Sequence, residues 1–193
     1  SAEAFMERFT VFDVETPNYY NDRMSSIGIA VVECGQVVEV FSSLVDPETY
    51  FDRFNIMLTG ITPEAAAKAP SFDRLWPQIE GLMLGNILIA HNAPFDMCVL
   101  AKCLSAYCID APRYLDYACT VQMGRKVYPV LPDHKLDTLC RAVGIPLDHH
   151  KAESDALAAA KLLIDYEEKG LIIADHIRKY DLISRRTYPK KKK

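Results

Sequence analysis

Asp13 and Glu15 interrupt one of the most apolar stretches of the chain, RFTVFDVET at residues 8–16, and stand two residues apart. In an extended strand that spacing turns both carboxylates to the side carrying Phe9 and Val11, with Cα atoms ~6.6 Å apart. Ionised groups on a core-facing side are costly unless paired. A divalent cation pairs them well, because hard cations take carboxylate oxygens while phosphate and water complete the shell. The spacing alone is equally consistent with a strand that ends at Asp13 and releases both acids to water.

Asp96 and Asp155 present the same choice. Asp96 stands about three residues into a helix beginning near Pro94, and Asp155 lies early in the helix after His150; each could serve only the free N–H groups and dipole of its helix. Glu153, two residues from Asp155, faces another side of that helix. His150 precedes the helix by a residue or two and could reach over the same site, taking a proton from an attacking water at a pKa near neutrality. A solvated loop histidine is the plainer alternative. His91 and His134 read as packing or capping groups, and His176 carries no signal. The weight lies in joint occurrence: acid-x-acid on a first strand, an acid after a strand–loop junction, and His-x4-Asp late in the chain.

The elements that must position these groups can be read from pattern. The stretches 8–16, 25–33 and 36–45 read as three antiparallel strands, the last two joined by Cys34-Gly35, a tight hairpin turn. Thr62-Pro63 and Ser71 look like helix N-caps, the second opening a helix with Leu75, Ile79, Leu82 and Met83 on one face and Pro77 in its first turns. Residues 86–91 form a short apolar strand, followed by a tight loop and a helix over 95–108; 114–120 reads as the last strand. Helices over 134–143 and 151–169 end at Gly144 and Gly170. The expected fold is an α/β domain with a mixed five-stranded sheet, three antiparallel strands and then parallel ones, flanked by helices.

The chain has 193 residues, half of them hydrophobic and a quarter charged, which suits one folded domain rather than a disordered or fibrous chain. Its net charge is −4; the last nine residues carry six cations and no acid, which leaves residues 1–184 at −10. An acidic body does not hold nucleic acid by bulk electrostatics, yet it can hold an acidic site neutralised by cations. We therefore expect a domain over 1–184 and a basic, disordered tail over 185–193. Six cysteines without a C-x-x-C pair favour reduced thiols and a cytoplasmic location and argue against zinc. No stretch reads as a membrane span or a signal peptide, and Ser1 in place of Met is consistent with trimming or a tag scar.

Residues 11–16 (VFDVET), 91–96 (HNAPFD) and 150–155 (HKAESD) together resemble the three motifs of the DEDDh 3′-to-5′ exonucleases, typified by the proofreading epsilon subunit of bacterial DNA polymerase three. The likeness runs from about Phe9 to about Glu168, with familial stretches at 26–30, 58–62 and 134–140. It implies a ribonuclease-H-like fold, Asp13, Glu15, Asp96 and Asp155 as ligands of two divalent cations, Mg²⁺ or Mn²⁺, and His150 as general base. It further implies that nucleoside monophosphates are released from single-stranded or frayed DNA 3′ ends. Thr16 would meet the 3′ hydroxyl through its backbone, and Leu58, Gly60, Ile61, Asn92 and Phe95 complete the candidate substrate-binding set. Leu58, Ile61 and Phe95 could equally be core. Where the family commonly continues Thr-Gly, this chain has Thr16-Pro17-Asn18-Tyr19-Tyr20, so the loop facing the terminal nucleotide differs. A DNA polymerase partner is a further implication, without a recognisable docking tail to support it. An exoribonuclease or oligoribonuclease is the nearest alternative, and an inert nucleic-acid-binding or polymerase-docking module the more distant one.

Overall fold

The computed structural model describes residues 7–188, and in it the first expected strand runs from Arg8 to Glu15 as β1. Every residue of β1 after Arg8 is buried except Asp13, which is half-buried, because the strand lies inside the sheet with helices on both faces. β2 (Ser26–Glu33) pairs antiparallel to it from Glu15↔Ser26 to Arg8↔Glu33, and β3 (Gln36–Leu44) returns antiparallel to β2. The connecting turn holds Cys34 and Gly35 at φ 51° and 70°, the left-handed pair that a two-residue hairpin of matching twist requires. β4 (Ile87–Ala90) and β5 (Tyr114–Cys119) then add in parallel on the other side of β1.

Helices fill the connections. α1 (Arg53–Thr59) is capped by Asp52, whose side chain accepts from the Asn55 N–H, and ends at Gly60 with φ 72°. In α2 (Pro63–Ala66) the Thr62 side chain accepts from the Ala65 N–H, as its sequence suggests. α3 (Phe72–Leu84) begins after Ser71, whose hydroxyl donates to Asp73 rather than capping the backbone. Leu75, Ile79 and Met83 are buried on one face of α3, while Leu82 of the expected stripe is half-buried at its edge. α4 (Ala93–Ala106) links β4 to β5; α5 (Thr120–Val127), α6 (Leu136–Val143) and α7 (Ala152–Glu168) follow β5. One apolar cluster joins α3 and α4 to the sheet, and another joins the opposite face to α5, α6 and α7.

The α/β class and the five expected strands are present, but the sheet has seven strands, in the order β3-β2-β1-β4-β5-β6-β7. β6 (Arg178–Asp181) pairs antiparallel with β5, and β7 (Arg186–Thr187) with β6. Pattern missed them because neither carries an apolar run: β6 buries only Tyr180 and Asp181. Asp181 is held by Arg113, and the Tyr117 hydroxyl bonds Thr187. Two residues assigned by charge to a tail therefore belong to the sheet, while Pro189–Lys193 lie outside the described residues. Among the described residues no helix is long and apolar enough to cross a membrane.

Candidate active site

Asp13 on β1 stands opposite Gly28 on β2, and the missing side chain at Gly28 is what admits the last acid. A Cβ built there would lie 2.1 Å from the Ala152 carbonyl oxygen, so only glycine lets the first turn of α7 rest on the strand. That turn carries Asp155 over β1. From the other side Asp96, in the first turn of α4, accepts the Val14 N–H at 3.0 Å. Carboxylate oxygens of Asp13, Glu15 and Asp155 lie within 4.8 Å of one another. Asp96 is outside that set of three but close enough that its charge is the first to bear on Asp13.

The group is electrostatically unsatisfied as it stands. Burial, and then the charges of Asp96, Glu15 and Asp155, hold Asp13 well above the usual carboxylate range. Burial followed by Asp155 pushes Glu15 up to about 8. Burial raises Asp96 strongly against the pull of the Val14 N–H, and raises Asp155 against its hydrogen bond with His149. Asp13 Oδ2 is buried without a hydrogen-bond partner. An all-oxygen donor set that cannot be fully ionised alone, with one orphaned oxygen, fits hard divalent cations such as Mg²⁺ or Mn²⁺.

His150 does not hydrogen-bond Asp155 through its ring. Its backbone N–H donates to Asp155 Oδ2 at 3.2 Å with φ 66°, and its side chain lines a cavity of about 380 Å³ together with Glu15, Thr59 and Ile61. The ring that meets Asp155 is His149, with Nδ1 at 3.1 and 3.2 Å from the two carboxylate oxygens; it stacks on His150 at 3.9 Å. Sequence spacing overlooked His149, although a second histidine beside the first was the available signal. Burial and the neighbouring His149 lower the pKa of His150, which keeps its ring neutral and able to take a proton. His91 bridges Thr120 Oγ1 and the His134 carbonyl, and burial brings it down to about 4; it is the packing group its pattern suggested.

The candidate substrate residues divide. Ile61 is buried and lines the cavity with Glu15 and His150; Gly60 sits before it as the left-handed cap of α1. Leu58 and Phe95 remain exposed rather than joining the core. Asn92 takes a left-handed conformation ahead of α4 and lines a second cavity, of about 470 Å³, with Asp13, Asp155, His149 and Arg125. The Thr16 carbonyl accepts from Asn55 Nδ2 at 2.8 Å, and its hydroxyl donates to Asn21. The loop beyond it, where the motif departs from the family, exposes Tyr19 stacked on Tyr20 at 4.4 Å, with Tyr50 edge-on to Tyr20 at 6.3 Å. Aromatic faces of this kind stack bases irrespective of sequence; the run Asn18-Tyr19-Tyr20 signalled an altered loop but not this platform.

The family model described as "Exonuclease" (RNase_T) matches residues 9–163. The PolC-type DNA polymerase III of Clostridium perfringens is 33% identical over 166 residues, covering 83% of this chain and 11% of the polymerase; that of Bacillus subtilis is 31% identical over 178 residues, covering 89% and 12%. The chain thus spans about an eighth or less of the length of these relatives. Among solved structures, exonuclease X in complex with 5′ overhanging duplex DNA has a TM-score of 0.71 at 23% identity, covering 89% of this chain and 96% of that one. The nuclease domain of 3′hExo, a DEDDh family member bound to rAMP, has a TM-score of 0.72 at 17% identity, covering 88% and 96%. At these identities the two structures speak for the fold.

Proposed function

The chain belongs to the exonuclease family, and on that premise we propose that it is a metal-dependent exonuclease that releases nucleoside monophosphates from single-stranded or frayed DNA 3′ ends. The observation that carries this reading is the convergence of Asp13, Glu15 and Asp155 within 4.8 Å, with Asp13 Oδ2 unsatisfied and Asp96 pressing its charge upon Asp13. These four acids are the residues that would hold two divalent cations. When bound, such cations supply Lewis-acid activation of water and neutralise charge on the phosphate and the departing 3′ oxygen.

The remaining roles fall to the chain's own groups. His150, kept neutral and placed on the cavity of Glu15 and Ile61, accepts the proton of the attacking water. His149 orients Asp155 through Nδ1. Ile61, with exposed Leu58 and Phe95, offers apolar contact to a terminal base, and Gly60 leaves room beside it. Asn92 lines the carboxylate cavity where the sugar–phosphate would pass. Thr16, just after β1, would meet the 3′ hydroxyl through its backbone.

DNA is favoured because the relatives at 31–33% identity are DNA polymerases, which also makes a polymerase the proposed partner. RNA ends are the second reading, favoured by the rAMP bound to the 3′hExo nuclease domain. We place the protein in the cytoplasm, where buried Cys103, Cys119 and Cys140 stay reduced. The deciding experiment incubates the protein with Mg²⁺ or Mn²⁺ and end-labelled single-stranded DNA, duplex DNA or RNA. Stepwise mononucleotide release from DNA 3′ ends is expected. Release from RNA alone would select the second reading, and full turnover in chelator would overturn the metal site.

A further inference from the structure

A concavity of about 740 Å³ lies beside the carboxylate pocket. It is lined by Gln122, Arg125 and Lys126 of α5, by His176 and Arg178, and by Thr187 of β7, with no aspartate or glutamate in its wall. In a body whose first 184 residues carry −10, a concavity with three cations and no acid is a local inversion of sign. The cations are also uncommitted. Arg113 and Lys179 nearby are paired with Asp181 and Asp116, whereas Arg125, Lys126 and Arg178 make no ion pair among the described residues. Arg125 reaches only Gln122 Oε1, at 3.3 Å.

A further observation connects this cavity to the carboxylates. Asn92, Val121 and Arg125 line both this cavity and the one containing Asp13, Asp133 and Asp155, so the two adjoin as one trench-like path along which the lining loses its acids beyond Arg125. From this we infer that the trench formed by Arg125, Lys126, His176, Arg178 and Thr187 holds the phosphodiester backbone of the nucleic-acid strand whose end lies at the carboxylates. Cations that carry no carboxylate partner in the free protein neutralise phosphates without first giving up a pair, and each such contact releases condensed counterions. Guanidinium at 125 and 178 suits the bidentate geometry of phosphate oxygens. The trench also answers how an acidic domain retains a polyanion: attraction is confined to one path instead of spread over its surface.

This inference rests on the exonuclease reading, and its test separates the two. Fluorescence anisotropy of a labelled single-stranded 12-mer in EDTA, titrated from 50 to 200 mM salt, reads backbone contacts without hydrolysis. The double variant Lys126→Gln/Arg178→Gln is expected to flatten the slope of log K against log salt by about 1.4, two contacts at about 0.7 each on a single strand. Lys126→Arg/Arg178→Lys is expected to keep the wild-type slope, which excludes a mere folding defect, and the melting temperatures of both variants serve as a check. A wild-type slope in the glutamine variant overturns the trench even if the protein degrades DNA. Lost binding in a protein that trims no 3′ end leaves the trench standing and overturns the exonuclease reading.

Discussion

Replacing Glu15 by glutamine is expected to stabilise the metal-free protein while abolishing hydrolysis. Burial and Asp155 lift the Glu15 carboxyl from 4.5 to about 8, so between those values the folded chain binds a proton that the unfolded chain has released. Stability of the metal-free form therefore falls as pH rises through that window. At about 1.36 kcal/mol for each pKa unit, the raised carboxyl costs about 3 kcal/mol at pH 7, where it still holds its proton, and about 5 kcal/mol above pH 8, where it ionises. Glutamine keeps the shape and can donate to Asp13, but it carries no charge to bury. For a domain of this size about 5 kcal/mol corresponds to a melting shift of roughly 10 °C or more. Scanning calorimetry in EDTA should show wild type and Glu15→Gln melting close together at pH 5, and the variant melting about 10 °C higher at pH 8. Saturating Mn²⁺ should reverse that order, because only a complete ligand set gains fully from binding to the folded state. A variant that melts at or below wild type at pH 8 without metal would refute the claim that these carboxylates repel one another in a buried pocket.

Three other perturbations probe the same architecture. Gly28→Ala forces a methyl group to within 2.1 Å of the Ala152 carbonyl, which should cost about 1–3 kcal/mol or more and lift Asp155 off β1; normal melting together with normal activity would show that α7 is not held there. His150→Ala should lower kcat by ~10² to 10⁴ and flatten the acid limb of the rate profile, with a smaller loss from His149→Ala; the opposite ranking would make His149 the base. Tyr19→Ala and Tyr20→Ala should each raise KM for single-stranded substrate about tenfold, since a stacked base is worth ~1–3 kcal/mol, with kcat little changed; steady-state kinetics showing an unaltered KM would remove the tyrosines from the substrate path.

The strands legible in the sequence were those with apolar runs of period or length suited to a buried sheet, such as SIGIAVVE, and the helices with helical apolar spacing, whereas the short α1 was missed although Asp52 caps it and Gly60 closes it. β6 was invisible because it buries only Tyr180 and Asp181 and so shows no apolar run. α5 was missed because it follows β5 without a turn residue or a side-chain cap. The acids were legible because charge inside an apolar strand demands a reason. What local pattern could not supply is which oxygens converge: Asp96 spends one on the Val14 N–H, and the ring of His149 rather than that of His150 meets Asp155. Both facts depend on how α4 and α7 dock on β1, and the uncommitted cations of α5 and β6 come together only once the sheet has closed.

The parallel pairing of β1 with β4 joins Phe9 to Ile87, and the fourth acid arrives only with α7, which starts at Ala152. Contacts so distant along the chain form late and together. A nascent polypeptide emerging from the ribosome therefore holds its first two acids for some 140 residues of synthesis before the fourth joins them. A partly made chain that lacks α7 therefore lacks Asp155 and cannot assemble the full set of four acids.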